Sequence, residues 1–309
     1  MAAIQAEIAV GGGEALRPAR SLWRDAWYTF TRDKLAVAGL AVTIVIVILV
    51  LGGPYVWTKS KDALDYGIAL QPPTLAHPFG TDDLGRDMLA RVLFGGRISI
   101  AVGIVSIVIA MTLGTAIGAF AGYFGKLDNL LMRVTDIFLS LPTLPVLLVL
   151  IYLFRDTLQR TLGEVEGIFV MIVAVIGVLN WMPVARLVRA SFLSLKQKEF
   201  VEAARCIGAT DARIIFQHLL PNALSPVLVA ATIGVGGAII TESTLSFLGL
   251  GFPSDVPTWG RLLYDAQNYL DIAPYTSIFP GLAIFLIVLS INYVGDGLRD
   301  ALDPRHRQR

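Results

Sequence analysis

Six long stretches without a charged residue constrain this sequence more than any other feature. They contain no Asp, Glu, Lys or Arg and cover residues 35–58, 98–125, 137–154, 167–185, 214–241 and 272–295. Each is near or above the roughly 18 to 20 residues that a helix needs to cross the hydrocarbon core of a bilayer. Lipid offers no hydrogen-bond partner to open backbone groups, so such stretches must be helical. The sequence therefore predicts an all-α integral membrane protein with six transmembrane helices.

The composition agrees with a membrane protein and narrows what else the chain can be. Hydrophobic residues make up 55% of it and charged residues 16%, whereas soluble domains carry about 25% charged residues. The first apolar stretch starts only at Leu35 and is longer than a signal-peptide core, so we expect it to be a retained helix. Cys206 is the only cysteine, which excludes an intrachain disulfide and a cysteine-based metal cluster.

The distribution of basic residues predicts how the chain lies in the bilayer. If six helices start from an internal N-terminus, most of the 25 lysines and arginines fall on the inner side, as the positive-inside rule requires. Both termini and the polar stretch 191–221 are then cytoplasmic. Trp27 and Phe30 lie at helical spacing beside basic residues, so we expect a short helix along the inner interface before the first span.

The polar stretch 191–221 has the pattern of two short helices and a turn. The pattern predicts a first helix over 196–206 and a second over 211–219. Gly208 between them can adopt the positive φ that lets a chain leave a helix. Pro221 is then expected to open the next membrane span, because proline is tolerated in the first turn of a helix.

The first of these helices places small and apolar residues together. Phe200, Ala203 and Ala204 are expected on one face, where the alanines allow a partner to approach closely, and Glu202 supplies a polar contact. Periodicity alone leaves two interpretations open. One is a connector that covers the inner membrane surface, and the other is a helix–turn–helix that transmits a push between a partner and the membrane.

Six positions of this stretch match a known pattern. They are Glu202, Ala203, Ala204, Gly208, Leu220 and Pro221. Their order and spacing resemble the EAA loop of the permease subunits of bacterial ABC importers, the element that docks into a separate ATPase. The chain departs from the broad consensus at His218, where isoleucine is common, but histidine is usual there in the oligopeptide/dipeptide/nickel branch. The resemblance makes the six residues the expected ATPase-coupling loop.

A second motif lies between the first two predicted spans. It reads His-Pro-Phe-Gly-Thr-Asp-Asp-Leu-Gly-Arg-Asp over residues 77–87, followed by Arg91 and by Gly-Gly-Arg over 95–97. This resembles the C-type subunit of the peptide-permease pair. From the residues themselves, 81–83 are expected to start a helix on the outer surface. A calcium loop is a poor alternative, because the acidic residues lack the alternating ligand spacing and the terminal glutamate.

Glu242 is the one acidic residue well inside a hydrophobic stretch. Intramembrane carboxylates suggest function by default, although about 27 Å of helix from Leu224 puts this one near the outer face. Ser243, Thr244 and Ser246 can hydrogen-bond it. Two interpretations stay open: Glu242, Ser243 and Ser246 belong to the translocation path or its gate, or Glu242 is an interfacial carboxylate without a role in transport.

Small residues and prolines predict how the spans pack. Gly114, Gly118 and Gly122 recur every fourth residue in the second span, a spacing that lets membrane helices approach closely. Proline at 142 and 145 in the third span and at 183 in the fourth is expected to bend or end those helices.

The family resemblance also implies an architecture. It implies a five-helix importer-permease core plus an additional N-terminal helix, with cytoplasmic coupling helices between helices 4 and 5. The expected divisions are a cytoplasmic tail and interfacial helix over 1–34, a first span and extracytoplasmic loop over 35–96, the permease core over 97–300, and a cytoplasmic tail over 301–309. The protein would be a multi-pass protein of the bacterial cytoplasmic (inner) membrane.

The resemblance further implies partners and a mode of action. The partners are a second, related permease in a heterodimer, two cytoplasmic ATPase subunits and an extracytoplasmic substrate-binding protein, and import is by alternating access. No Gly-x-x-x-x-Gly-Lys-Ser/Thr motif occurs in the chain. We therefore expect no enzyme activity and no cofactor or metal bound by this chain, with ATP and Mg²⁺ in the ATPase subunits. Di- or oligopeptides are the favoured substrates, and nickel or another small solute is the alternative.

Two other classes of protein fit the residues less well. An ion-coupled secondary transporter usually has midplane carboxylates and inverted repeats, but the buried carboxylate here lies near an interface and no repeat is visible. A membrane-embedded enzyme would need its polar groups in one site. The three histidines, His77, His218 and His306, fall on different predicted sides of the membrane.

Overall fold

The fold is known from a computed structural model that describes residues 22–302. Within that range the regular structure is helical, apart from one isolated antiparallel bridge between Thr81 and Asp87. The helices are α1 (Leu22–Arg32), α2 (Lys34–Val56), α3 (Met88–Tyr123), α4 (Gly125–Ser140), α5 (Thr143–Leu162), α6 (Glu164–Leu179), α7 (Trp181–Leu195), α8 (Glu199–Cys206), α9 (Asp211–Phe247), α10 (Trp259–Ala266) and α11 (Tyr275–Leu302). The tails predicted over 1–20 and beyond 302 lie outside the described residues.

The long apolar helices match the charge-free stretches of the sequence. Four of the described helices, α2, α3, α9 and α11, are each long and apolar enough to cross a membrane. The pairs α4–α5 and α6–α7 pass the same test as pairs, but they are bent by 89° and 40° respectively. The described residues thus form four spans, or six if each bent pair is a single span, and the exact count of six remains a prediction.

Prolines explain both bends. The residue before Pro142 is Leu141, which has extended torsion angles (φ −77°, ψ 136°) and ends α4, as expected of a residue that precedes proline. Pro183 lies in the first turn of α7, where its missing N–H costs no hydrogen bond. The prediction that prolines bend the third and fourth spans is confirmed.

The glycine repeat of α3 lies against α7. A Cβ atom added at Gly114 would lie 2.6 Å from the carbonyl oxygen of Trp181, and one added at Gly122 would lie 2.6 Å from Cβ of Phe192. Gly118 faces the carbonyl oxygen of Ala185 in the same way. The backbones of α3 and α7 therefore touch along three helical turns, and the predicted close packing is confirmed.

Arg97 fastens α2 to α3 near the C-terminal end of α2. Pro54 lies within α2 and has no N–H, so the carbonyl of Val50 loses its donor four residues on. Nε of Arg97 donates to that carbonyl at 3.0 Å, and Nη2 donates to the carbonyl of Leu51 at 2.7 Å. The guanidinium also lies 5.5 Å from the ring centroid of Tyr55. The Arg97 guanidinium thus satisfies a backbone carbonyl that proline leaves without a donor.

The loop before α3 corrects one prediction. Residues 81–83 do not start a helix, because α3 begins at Met88 and its cap is Asp87, whose Oδ1 accepts from the N–H of Ala90 at 2.7 Å. The carboxylate of Asp82 instead closes a tight turn by accepting from the N–H of Arg86 at 2.8 Å. Gly85 in that turn has φ +74°, which is incompatible with a helix start there.

Candidate functional site

Residues 196–221 are called the EAA segment below; they comprise the polar connection between α7 and α9 and the first residues of α9 up to Pro221. Its helix α8 buries Val201 and Ala204 against the protein and exposes Glu202 and Ala203 to solvent. The prediction that Phe200, Ala203 and Ala204 share one face is wrong for Ala204, because Phe200 and Ala203 are exposed whereas Ala204 is buried together with Val201. That a partner approaches the exposed alanine remains a prediction.

The turn after α8 follows the sequence prediction. Gly208 has φ +82°, and its N–H donates to the carbonyl of Arg205 at 2.9 Å. The N–H of Ala209 donates to the carbonyl of Ala204 at 3.0 Å. These two bonds form a Schellman motif, which satisfies carbonyls at the helix end and needs a left-handed residue at the position of Gly208.

The second half of the EAA segment corrects another prediction. The prediction of a separate short helix that ends at Leu219 is wrong, because α9 continues from Asp211 into the span without a break. Its turn Ile214–Leu219 is a π-helix, and the N–H of Leu220 donates to the carbonyl of Ile215. Pro221 lacks an N–H and its ring crowds the carbonyl four residues earlier, so the wider π turn makes room for it inside a continuous helix.

Large apolar side chains are exposed beside Glu202, although this part of the chain is otherwise polar. Ile207 is 86% exposed and Phe216 is 66% exposed. Cys206 is also exposed. The ring of Phe200 lies 6.3 Å from the imidazole of His218, which joins α8 to the start of α9. Phe216 lies in an apolar groove between α3 and α9, together with Phe120 and Leu224. We call Glu202, Ala203 and Ile207 the exposed face of the EAA segment.

Tyr123, the last residue of α3, holds the EAA segment at two points. Its hydroxyl donates to Oδ1 of Asp211 at 2.5 Å. Its carbonyl oxygen accepts from Nζ of Lys196 at 2.6 Å, and the same ammonium lies 5.1 Å from the centroid of the ring. Sequence reasoning missed Tyr123; the available signal was a tyrosine at the inner end of a predicted span, facing a loop with charged residues.

Glu242 is completely buried inside its own chain. Oε1 accepts from the hydroxyl of Ser246 at 2.8 Å, and Oε2 accepts from the hydroxyls of Ser99 at 3.1 Å and Ser243 at 3.4 Å. The hydroxyl of Ser99 in turn accepts from the N–H of Trp259 at 3.2 Å. Glu242 thereby joins α3, α9 and the start of α10.

Two of the three hydroxyl residues expected to bond Glu242 do so. Ser243 and Ser246 bond the carboxylate as expected, whereas the hydroxyl of Thr244 donates to the carbonyl of Ile240 instead. Ser99 was not anticipated, since it lies in another span and no sequence pattern links the two. The role of Glu242, Ser243 and Ser246 in a path or gate remains a prediction.

An ionic network on the same side ties the loop before α3 to α10. Nε of Arg86 lies 2.6 Å from Oδ2 of Asp82, and the buried Arg91 lies 3.5 Å from both Asp82 and Asp265. Arg261 pairs with Asp265 at 2.9 Å. Burial raises the pKa of the Asp265 carboxyl, although Arg261 and Arg91 favour its charged form. Between residues 22 and 302, no group of three or more His, Cys, Asp or Glu side chains is placed to hold a metal ion.

Comparison with known proteins gives two family matches. Residues 114–308 match the family described as binding-protein-dependent transport system inner membrane component. Residues 21–73 match the N-terminal TM domain of oligopeptide transport permease C. The first match covers more than half of the chain, including the EAA segment and Glu242.

Characterised relatives align along nearly the whole chain. The oligopeptide transport system permease protein OppC of Haemophilus influenzae is 42% identical over 291 residues, which cover 93% of this chain and 90% of that protein. The dipeptide transport system permease protein DppC of Alkalihalophilus pseudofirmus is 38% identical over 286 residues, with 92% and 90% covered. The glutathione transport system permease protein GsiD of Escherichia coli is 40% identical over 291 residues, with 93% and 91% covered.

A solved structure shares the fold. A chain of the MetNI methionine ABC transporter, in an inward-facing conformation, superposes with a TM-score of 0.56 at 21% sequence identity. The match covers 70% of this chain and 98% of that chain. The helical arrangement described above is therefore that of a known transporter subunit, with additional residues in this chain.

Proposed function

The chain belongs to the family of binding-protein-dependent transport system inner membrane components, and on that premise we propose how it serves an ATP-driven importer. Its part is that of a C-type permease subunit, a membrane channel subunit that makes and breaks no covalent bond. The observation that supports the proposal most directly is the exposed face of the EAA segment. Glu202, Ala203 and Ile207 present polar and apolar surface on a helix–turn whose residues Val201 and Ala204 are buried.

Short peptides are the proposed substrates. The relatives at 38% to 42% identity are named for dipeptides, oligopeptides and glutathione, and all three substrates contain short chains of amino acids. These names favour peptides over nickel or another small solute. Selection among peptides is proposed to reside in an extracytoplasmic binding protein, in keeping with the family description.

The proposed mechanism is alternating access driven by two separate ATPase subunits that hold ATP and Mg²⁺. An ATPase docks on the exposed face of the EAA segment, where Ile207 at 86% exposure offers an apolar anchor and Glu202 a directional polar contact. Closure of the ATPase pair moves this segment. Because α9 continues from Asp211 into the span, the movement reaches the membrane without an intervening hinge loop.

At the opposite end of the spans, Glu242, Ser243 and Ser246 are proposed to control an outer gate. The Glu242 carboxylate bonds Ser99 of α3, and Ser99 bonds the backbone at the start of α10. A movement of α9 against α3 would break these bonds and free α10. The rest of the proposed assembly is a second, related permease in the bacterial inner membrane, with both termini of this chain in the cytoplasm.

Co-purification tests the docking surface. A C-terminally tagged chain is extracted gently from its native membrane, and the chains that accompany it are identified. Ile207→Glu is expected to lose the ATPase subunits and keep the second permease, because it places an unpaired charge in a desolvated contact. Leu75→Glu is the matched control, since Leu75 is also fully exposed but lies in the predicted extracytoplasmic loop. A lone chain or homo-oligomer that moves peptide without ATP would refute the importer function.

A further inference from the structure

Tyr123 fastens α3 to the EAA segment at both ends of α8. Lys196 precedes α8 and Asp211 follows it, and both bond Tyr123. The side chain of Tyr123 is only 6% exposed. Its ring belongs to one buried apolar cluster with Val201 of α8 and Ile214 of α9. Tyr123 is therefore linked to the segment before α8, after α8 and through the buried cluster beneath it.

Both bonds are of a strong kind. The hydroxyl of Tyr123 donates to an ionisable carboxylate over 2.5 Å, and charge-assisted O–H···O⁻ bonds are about twice as strong as neutral ones. The carbonyl of Tyr123 is at the C-terminal end of α3, where carbonyls have no donor within the helix. The ammonium of Lys196 supplies that donor and also a positive charge at the negative end of the helix dipole.

The position of Asp211 relative to the π turn decides where movement goes. Asp211 precedes the π turn Ile214–Leu219, and the rest of α9 follows that turn. A π turn is wider than an α turn and is frequent at functional sites. Movement of α8 therefore reaches Asp211 and Tyr123 before it reaches the π turn of α9.

The helix that receives this movement reaches the other side of the protein. α3 has 36 residues, which corresponds to about 54 Å at 1.5 Å per residue. It packs on α2, α6, α7 and α9. At its far end it carries Arg91 of the ionic network and Ser99, the partner of Glu242.

We infer that Tyr123 is a positioning residue that couples movement of the EAA segment to α3, so that the movement reaches α3 as well as α9. The inference rests on the proposed function, because it names the residue through which ATP-driven movement reaches a second span. The hydrogen bond between the Tyr123 hydroxyl and the Asp211 carboxylate is the contact through which the movement reaches α3. Without this bond, only α9 would carry the movement, through its π turn.

The test uses a variant that removes one atom. Tyr123→Phe keeps the buried ring and deletes only the hydroxyl, and Tyr152→Phe is the matched control, because Tyr152 is 80% exposed. Amide hydrogen exchange is measured in the detergent-solubilised complex. Losing a hydrogen bond to a charged group is expected to speed exchange over residues 199–213 by about tenfold in Tyr123→Phe, with no change in Tyr152→Phe. Unchanged exchange would overturn the role of Tyr123, whichever partner chains are present.

A second readout separates coupling from mere anchoring. The complex and its co-purifying binding protein are placed in proteoliposomes, and uptake of labelled trialanine is measured per ATP hydrolysed. Tyr123→Phe is expected to hydrolyse ATP at near the normal rate while uptake per ATP falls about tenfold. The single variant Asp211→Asn, which retains an acceptor oxygen for the Tyr123 hydroxyl but loses the charge, is expected to keep more of the coupling than Tyr123→Phe and less than the wild type. Faster exchange with normal uptake per ATP would show that Tyr123 is only an anchor. Absence of ATPase subunits from the wild-type complex would instead refute the proposed function.

Discussion

Replacing Gly118 by alanine tests the close packing of α3 on α7. The added Cβ would clash with the carbonyl oxygen of Ala185 and would lie 2.8 Å from Cβ of Val188. A backbone carbonyl cannot turn aside, so the two helices must separate. Overpacking of this kind costs about 1–3 kcal/mol, and alanine regains up to about 1 kcal/mol as a better helix former than glycine. The net destabilisation expected for Gly118→Ala is therefore about 1 kcal/mol.

The matched control is Gly237→Ala in α9, where no heavy atom lies within 4 Å of the added Cβ. There only the gain in helix propensity remains, so this variant is expected to be more stable than the wild type by up to about 1 kcal/mol. The free energies of unfolding of the two variants are expected to differ by about 2 kcal/mol. Because both variants gain the same helix propensity, this difference measures the cost of overpacking alone. It corresponds to about 4–8 °C between their midpoints if each kcal/mol moves the midpoint by roughly 2–4 °C.

The assay is thermal unfolding of the purified complex in detergent, followed by tryptophan fluorescence. Trp181 lies at the α3–α7 interface and reports its separation. Gly237→Ala is expected to have the highest unfolding midpoint, the wild type an intermediate one and Gly118→Ala the lowest. If Gly118→Ala melts at or above the midpoint of Gly237→Ala, then α3 and α7 are not in backbone contact and the reasoning is wrong.

Three further predictions concern single contacts. Gly208→Ala is expected to cost about 1–2 kcal/mol from left-handed strain alone, since no heavy atom lies within 4 Å; faster amide exchange at Ala209 measures it, and equal exchange in Gly208→Ala and Gly208→Asn would contradict it. Arg97→Met leaves the Val50 carbonyl without a donor, at about 1–3 kcal/mol; the double variant with Pro54→Ala should recover much of the loss in thermal unfolding, and strictly additive effects would refute the link. Glu242→Gln is expected to keep α10 protected from amide exchange and Glu242→Ala to release it, because glutamine still accepts hydrogen bonds from serine; equal release in both would show that the charge is required.

The sequence predicted best what depends on one element at a time. Charge-free length located the apolar helices, because crossing hydrocarbon requires an apolar helix of a certain length. Pro142 and Pro183 located the bends, because proline acts on its own backbone and that of its immediate neighbours. Gly208 located the end of α8 for the same kind of local reason.

Predictions failed where two local solutions competed. Both the 81–83 stretch and Asp87 can cap a helix, and the choice fell to Asp87 because the chain turns at Gly85 first. Ala204 can face either a partner or the protein, and it is buried together with Val201. Such choices depend on what the rest of the fold offers to each candidate.

Long-range pairs were beyond the reach of the sequence alone. Tyr123 meets Asp211 across 88 residues, and Ser99 meets Glu242 across 143. Neither pair has a spacing that a helix or a turn would impose. The arrangement of α3 beside α9 and α7 creates both, so the residues that hold the candidate site together become visible only once the helices are packed.

The bond from Arg97 to Val50 bears on how the chain is synthesised. Arg97 follows Val50 by 47 residues, so at about 5–20 residues per second it leaves the ribosome roughly 2–9 seconds later. During that interval α2 would carry an unpaired carbonyl at Pro54, which is costly in hydrocarbon. We therefore expect the first span to be less stable in lipid before the second span joins it, so that the two helices settle in the membrane as a pair.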